Sequence, residues 1–406
     1  MNTGDTAFVL ISAALVMFMI PGLALFYGGM VRSKNVLGTL MQSFFSLAIV
    51  TVIWVLFGYT LAFGPDIGGL IGGLKWLGLS GVGAAPNDYA PTIPSLVFMI
   101  YQGMFAGITP ALITGAFAER MKFSAFAVFT ALWAIVVYPP IAHWVWGGGW
   151  LSALGVLDFA GGIVVHISSG AAALAAALIV GKRRGFNVEI MHPHNVPMTV
   201  TGAGILWFGW FGFNAGSALG AGSLAGLAFV TTSVAAATGL LGWVTAEWLK
   251  NGKATTLGGA SGAIAGLATV TPAAGFIGPL SALLLGFVAG IICYFAVSFK
   301  WKLGYDDSLD VVGVHLVGGT LGVLGAGLLA QKAVNAAGDN GLFFGNPTFF
   351  GIQVFAVVVT FVYAFIVSAL LLKIIDRVIG LRISEEEEEI GLDLSQHSEA
   401  GYALYE

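Results

Sequence analysis

Charged side chains and cysteine are scarce in this chain. Only 9% of its 406 residues are Asp, Glu, Lys or Arg, whereas an ordinary soluble domain carries roughly 25%. So few charged side chains cannot cover the surface of a soluble globular protein, so that class is excluded. A net charge of −4 without a basic tract argues against a nucleic-acid partner. Cys293 is the one cysteine, which excludes a disulfide framework, a cysteine-based zinc site and an iron–sulfur cluster.

Long apolar runs make up most of the sequence instead. Hydrophobic residues account for 58% of the chain, which also contains 59 glycines. A membrane-spanning helix needs about 20 apolar residues, and the runs are too long for the alternating segments of about ten that form an outer-membrane barrel. We therefore predict an all-α polytopic membrane protein. Its eleven expected spans are residues 6–31, 35–63, 93–118, 123–143, 158–180, 197–216, 225–249, 257–275, 279–299, 310–330 and 351–374.

The connecting segments differ sharply in positive charge. Of the 16 Lys and Arg residues, all but Lys75 and Lys332 fall on one side of the predicted membrane. The positive-inside rule then predicts an external N-terminus and a cytoplasmic C-terminus in the cell (cytoplasmic or inner) membrane. Met1 to Asp5 contain no basic segment or cleavage signature, so no signal peptide is expected.

Eleven spans divide into two five-helix halves and one extra helix. Because five is odd, the second half must run opposite to the first, as in the inverted repeats of transporters. The predicted division is a membrane domain over 1–380, with pseudo-repeats at about 1–180 and 195–330 and an eleventh helix at about 351–376. Residues 381–406 are expected to form a cytoplasmic regulatory tail, whose Glu385–Glu389 run is of a kind that is usually solvated.

Two histidines lie inside predicted spans, His166 in the fifth and His315 in the tenth. Ionisable residues in hydrocarbon are costly and mark functional sites by default. One imidazole from each inverted half would form a pair able to share or pass a proton, because neutral imidazole is both donor and acceptor. Satisfied core histidines and a metal or haem site are the alternatives, although no further His or Cys is expected at similar depth for a metal.

One aspartate precedes each of these histidines. Asp158 is expected at the outer end of its helix and Asp310 at the inner end of its own, on opposite sides of the membrane, as inversion requires. Both fit N-capping, in which a carboxylate accepts backbone N–H bonds at the positive helix end. Capping alone could account for Asp310, whereas Asp158 could also favour a cation at the outer mouth.

Aromatic residues recur at helical spacing. Tyr101 and Phe105 are separated by four residues, so their rings share one face of the third span. Trp210, Phe213 and Ser217 share a face of the sixth. Core packing or an interfacial belt is the usual reason for such a pattern. A cation site could use the same groups through cation–π attraction.

Several segments make the chain similar to one known family. They are PGLALFYGG at 21–29, DFAGGIVVH at 158–166, GWFGFNAGS at 209–217, DVVGVH at 310–315 and the tail segment GLRISEEEEEIGLDLSQHSEAGY. Together they resemble the ammonium transporter family of Amt, Mep and Rhesus proteins, on the Amt side, over nearly the whole chain.

The resemblance implies an eleven-span homotrimer with one pore per subunit that transports ammonium or methylammonium without a cofactor. Tyr101 is often Phe in the family, and the five-glutamate run is more acidic than its usual tail. By position, the resemblance implies a cation site of Trp146, Ser217, Tyr101 and Asp158, a gate of Tyr101 and Phe105, and a pore lined by His166, His315, Trp210 and Phe213.

Relatives of this kind bind a PII-type signal protein at the cytoplasmic mouth, so such a partner is expected here. The mechanism we expect is binding of NH4+, its deprotonation at the aromatic gate, and conduction of ammonia past the histidines. An ammonium sensor signalling through the tail and a redox or metal-binding membrane enzyme are the competing functions.

Overall fold

The computed structural model describes residues 1–402, and helices dominate this part of the chain. Ten helices are long and apolar enough to cross a membrane, and one shorter apolar helix lies among them. Helices α1 to α11 are Thr3–Met30, Ser33–Phe63, Ser95–Phe117, Phe123–Ala153, Gly162–Val180, Val196–Gly216, Ser223–Asn251, Thr256–Val270, Pro279–Leu303, Val312–Leu329 and Pro347–Ile379. Each overlaps one predicted span, although α4 extends ten residues past the expected end at residue 143, so the all-α membrane architecture is confirmed.

Helix α8 is shorter than the sequence predicted. The apolar run continues to residue 275, but the helix ends at Val270 after 15 residues, or about 22 Å at 1.5 Å per residue. Pro272 follows and cannot donate a backbone N–H to continue the ladder. Helices α6, α7, α9 and α10 pack around α8, so its short length is covered by protein.

Close helix packing depends on glycine. Helices α1 and α6 are in extensive contact, and a Cβ on Gly202 would lie only 2.2 Å from the backbone nitrogen of Phe26. The glycines repeating every fourth residue in α8 act in the same way against α7, where a Cβ on Gly266 would lie 2.1 Å from the carbonyl oxygen of Ala235. Glycine at these positions lets the two helix backbones approach closely.

The two ends of the bundle carry different structures. At one end, residues 64–94 form a two-stranded hairpin, β1 (Asp66–Ile67) and β2 (Ile71–Gly72), and further turns. The opposite end carries the C-terminal segment with two short helices, α12 (Glu385–Ile390) and α13 (Leu392–His397). We call these ends the loop side and the tail side. The last residues of the predicted tail, 403–406, lie outside the described residues.

The acidic run of the tail is only partly solvated, contrary to expectation. Glu388 is 1% exposed, accepts a bond of 2.7 Å from the backbone N–H of Arg184 and pairs with Arg382 at 2.6 Å. Asp393 accepts bonds from two backbone N–H groups in the first turn of α2, at 2.8 and 3.0 Å. These carboxylates neutralise basic groups and a positive helix end, so the tail docks on its own subunit.

Candidate functional site

The two predicted histidines meet at the centre of the bundle. The Nδ1 atoms of His166 and His315 are 3.2 Å apart, and the ring planes are inclined by 20°. Both side chains are buried. Each lies in a π-helical turn, Gly162–Ile167 at the start of α5 and Val312–Leu316 at the start of α10. Such turns are rare and are found frequently at functional sites.

A hydrogen bond between the two Nδ1 atoms fixes how the pair shares its protons. When both rings are neutral, one Nδ1 donates and the other accepts, so the rings are opposite tautomers and one Nε2 carries a proton while the other carries a lone pair. The Nε2 atom of His166 is buried without a hydrogen-bond partner among the residues that the structure describes. This Nε2 is therefore a buried polar atom that is available for a hydrogen bond.

A narrow apolar chamber surrounds the pair. We call it the histidine chamber. Trp210 and Phe213 of α6 line it, and both rings face His166 in near-parallel orientation, with centroids 5.6 and 6.2 Å away. The Trp210 indole donates to the hydroxyl of Thr271, so the ring is fixed from behind. The other lining residues are Met19, Leu23, Phe26, Ile108, Leu112, Val165, Leu206 and Ile264.

Two stacked phenyl rings separate this chamber from the loop side. The centroids of Phe105 and Phe213 are 4.2 Å apart; Phe105 lines the loop-side cavity and Phe213 the histidine chamber. The expected gate of Tyr101 and Phe105 needs correction, because those two rings meet edge to face at 5.0 Å within one helix. The ring that opposes Phe105 belongs to another helix, which spacing along α3 does not reveal.

The loop-side cavity holds three of the four residues expected at the cation site. Trp146, Asp158 and Ser217 line it. The fourth, Tyr101, does not line it: its ring is fully buried, and its hydroxyl donates to the carbonyl oxygen of Phe213 at 2.9 Å and lies 3.2 Å from Ser217 Oγ. Tyr101 therefore positions the serine and does not face the cavity.

Asp158 caps α5 with both carboxylate oxygens. They accept four backbone N–H bonds of 2.7 to 3.1 Å from residues 161–164, and the Trp146 indole donates to the Asp158 carbonyl at 2.8 Å. Burial raises the pKa of this carboxyl, and the four N–H bonds oppose that shift. Since all four donors point at the carboxylate oxygens, we assign the ionised form. The predicted cap is thus present.

The corresponding cap of α10 comes from Asp307 and not, as expected, from Asp310. Asp307 accepts from the backbone N–H of Val312 at 2.7 Å and precedes His315 by eight residues, the spacing that separates Asp158 from His166. Asp310 instead pairs with Lys300. Burial raises the pKa of Asp307 to about 6, with Lys300 opposing the shift.

Arg120 holds this tail-side segment in place. Its fully buried guanidinium donates to the carbonyl oxygen of Asp306 at 2.6 Å and to Ser308 Oγ at 2.6 Å. Burial lowers the pKa of Arg120 to about 10, which still leaves it charged at neutral pH. Burial would raise the pKa of Asp306, but the bonds and charges of Arg183 and Arg120 outweigh it and hold that pKa below its usual value.

Sequence reasoning missed several residues at the loop-side cavity. Gln102, Phe159 and Phe276 also line it, and Gln353 of α11 hydrogen-bonds to the segment that carries Asp158. Gln102 lies between Tyr101 and Phe105, the two residues to which the helical spacing had pointed. Gln353 is an amide inside a long apolar run, and that polar interruption was the signal available in the sequence.

The fold and the site together define a polytopic helical membrane protein with two histidines buried in a narrow apolar chamber. A family model described as Ammonium Transporter Family matches residues 7–402. The chain is 53% identical over 403 residues to the ammonium transporter of Bacillus subtilis strain 168, covering 99% of each sequence. It therefore belongs to the ammonium transporter family and is a multi-pass membrane transporter.

Solved structures agree with this assignment. Mep2 of Saccharomyces cerevisiae superposes with a TM-score of 0.91 at 34% identity, covering 100% of this chain and 93% of that one. A structure titled "Sensor Amt Protein" superposes with a TM-score of 0.90 at 30% identity, covering 97% and 98% respectively. The membrane domain is thus shared by proteins named as transporters and by one named as a sensor.

Proposed function

We propose that the protein binds NH4+ in the loop-side cavity, removes a proton and conducts ammonia through the histidine chamber, with or without net charge transfer. The observation that carries this proposal is the buried histidine pair, with its 3.2 Å contact, in an apolar chamber directly behind two stacked phenyl rings. The protein is proposed to be a transporter and not an enzyme, because nothing in this scheme makes or breaks a covalent bond other than N–H.

Binding would combine a ring face, a hydroxyl and a negative field. The Trp146 indole offers cation–π attraction of about 0.5 to 2 kcal/mol. Ser217 Oγ donates to the carbonyl oxygen of Phe213, which leaves its lone pairs to accept an N–H of ammonium. Asp158, ionised and capped, attracts a cation without contacting it. Tetrahedral N–H donors can satisfy such acceptors, whereas a spherical potassium ion cannot donate hydrogen bonds.

Deprotonation would follow from the apolar lining of the chamber. A bare cation in such surroundings costs several kcal/mol, whereas neutral ammonia avoids that penalty. The stacked rings of Phe105 and Phe213 exclude a hydrated ion, so the barrier falls if the ammonium N–H bond breaks there. The proton then passes either to water in the loop-side cavity, which leaves the transport electroneutral, or along the histidine pair, which carries net charge. The unpartnered Nε2 of His166 then offers either a donor or an acceptor to the passing ammonia.

Orientation and partners complete the proposal. The basic connecting segments lie on the tail side, where Lys34 and Arg184 contact the tail, so this side is proposed to be cytoplasmic. A homotrimer of such subunits and a PII-type regulator docking on the tail side are proposed by analogy with relatives. Deletion of residues 384–406 without effect on binding of the regulator would contradict that docking.

The experiment is a transient-current measurement on proteoliposomes given an ammonium pulse, with potassium as the comparison ion. We expect a current or a luminal pH change for ammonium alone, and loss or alteration of it in His166→Ala. His192→Ala is the matched control because His192 is exposed on the tail side. Full ammonium flux in His166→Ala would refute the role of the pair.

A sensor function is the second candidate, favoured by the similarity to the structure titled "Sensor Amt Protein" and by the docked tail. Ammonium binding without flux, together with an ammonium-dependent change in tail protection from protease, would support it over transport.

A further inference from the structure

Helix α11 makes a specific polar contact with the segment that carries Asp158. The Gln353 side chain is fully buried. Its Oε1 accepts from the backbone N–H of Leu157 at 3.0 Å, and its Nε2 donates to the carbonyl oxygen of the same residue at 2.8 Å. A second, longer contact of 3.5 Å runs from Nε2 to the carbonyl oxygen of Val323 in α10. The amide thus pairs with Leu157 as a neighbouring β-strand would.

Leu157 depends on this amide for its main-chain hydrogen bonds. Within residues 1–402, neither its N–H nor its carbonyl forms another main-chain bond. The next two residues are held from other directions: Trp146 donates to the Asp158 carbonyl at 2.8 Å, and the Phe159 N–H donates to the carbonyl oxygen of Pro272 at 3.1 Å. Three consecutive residues are therefore fixed by three separate parts of the fold, and Gln353 fixes the first.

The tail-side half contains a comparable arrangement. Asp307 occupies the place of Asp158, eight residues before the histidine, so Asp306 corresponds to Leu157. The carbonyl of Asp306 accepts a bond of 2.6 Å from the Arg120 guanidinium. In both halves, the backbone carbonyl of the residue before the aspartate accepts a hydrogen bond from a buried side chain of a distant part of the chain. This recurrence is independent support for a role beyond packing.

We propose that Gln353 is a positioning residue for the ammonium site. Its two hydrogen bonds to Leu157 fix the position of the adjacent Asp158, and thereby that of the Trp146 indole, which donates to the Asp158 carbonyl. The inference rests on the proposed function, and it gives the eleventh helix, which lies outside the two repeats, a part in substrate binding. Loss of these hydrogen bonds should let the segment move while leaving the histidine chamber intact, so substrate affinity should change more than maximal rate.

The matched variants lie on one buried stripe of α11. Gln353→Met keeps nearly the same shape and removes the amide. Thr360→Val is the control, because Thr360 is equally buried and its hydroxyl has no hydrogen-bond partner among the residues that the structure describes. Uptake of labelled methylammonium into proteoliposomes gives half-saturation and maximal rate. Hydrogen–deuterium exchange of peptides covering 157–164 reports directly on the segment.

We expect Gln353→Met to raise the half-saturation concentration by about tenfold or more, since small misplacement of a binding group has effects of that size. Its maximal rate should stay close to that of wild type, because loss of ground-state binding alone raises half-saturation without lowering the rate, and exchange at 157–164 should accelerate. Thr360→Val should match wild type in all three. Gln353→Glu should recover affinity as the pH falls, relative to wild type at each pH, because only a protonated carboxyl can both donate and accept.

Each contrary result has a distinct meaning. Unchanged exchange in Gln353→Met, or faster exchange with unchanged half-saturation, would overturn the positioning role. If Gln353→Met and Thr360→Val lost transport rate to the same extent, Gln353 would contribute only ordinary packing, and the positioning role would also be overturned. Wild-type protein without methylammonium flux would instead refute the proposed transport function, and exchange at 157–164 would then decide on its own whether Gln353 holds the segment.

Discussion

Replacing Asp158 with Asn would measure how much its charge contributes to the fold of the site. The two carboxylate oxygens accept two backbone N–H bonds each, all between 2.7 and 3.1 Å. Asn retains one oxygen and presents an NH2 group in place of the other. Two N–H bonds are therefore kept in neutral form, and two N–H groups at the start of α5 face a donor.

The magnitude follows from the bonds lost. A hydrogen bond to a charged group contributes about 1.5 to 3 kcal/mol, so losing two should lower the free energy of unfolding by about 3 to 6 kcal/mol. Since about 1.4 kcal/mol corresponds to a tenfold change in an equilibrium constant, the unfolding equilibrium should shift at least about a hundredfold. The site is 6% exposed, so water cannot readily take over both unpaired donors.

The assay is equilibrium unfolding in mixed micelles of dodecyl maltoside and SDS, followed by far-UV circular dichroism. Asp88→Asn is the control, because Asp88 is exposed on the same loop side and its loss removes an equal charge. Ammonium binding should weaken in Asp158→Asn and remain unchanged in the control.

A free energy of unfolding within about 1 kcal/mol of wild type would refute this reasoning, since it would fall below the contribution of even one charged hydrogen bond. Equal losses in both variants would show that net charge on the loop side matters and that the cap geometry does not.

Two further predictions concern the constriction and the tail-side ion pair. Phe105→Ala removes one of the rings stacked at 4.2 Å, so potassium flux into proteoliposomes should become measurable; unchanged exclusion of potassium would show that this ring pair is not the barrier. The pKa of Asp306 is held below its usual value by Arg183 and Arg120, so its carboxylate adds stability above about pH 4 that is lost as the pH falls through the lowered pKa. The melting temperature in detergent should therefore fall less steeply between pH 6 and 3 in Asp306→Asn than in wild type. Parallel curves of melting temperature against pH would contradict the assignment.

Much of the architecture was determined by the sequence alone. Apolar run length predicts eleven spans, because a helix must satisfy its own backbone in hydrocarbon, and residues 1–402 contain eleven apolar helices at these places. The rarity of ionisable groups in those runs pointed to His166 and His315, which meet at 3.2 Å. These features depend on composition and on the length of apolar runs along single helices.

The tertiary structure decided which groups from different helices meet. Spacing along α3 paired Phe105 with Tyr101, yet the ring stacked on it is Phe213 of α6. Asp310 was the expected cap of α10, whereas the structure shows Asp307. The eight-residue spacing that Asp307 and His315 share with Asp158 and His166 was the signal available in the sequence.

Gln353 shows the same dependence at greater separation, since it bonds to Leu157, 196 residues away along the chain. Helical periodicity fixes neighbours within about one turn. Contacts across the bundle follow from how whole helices pack, and that is set by the sum of many small contacts that no single motif records.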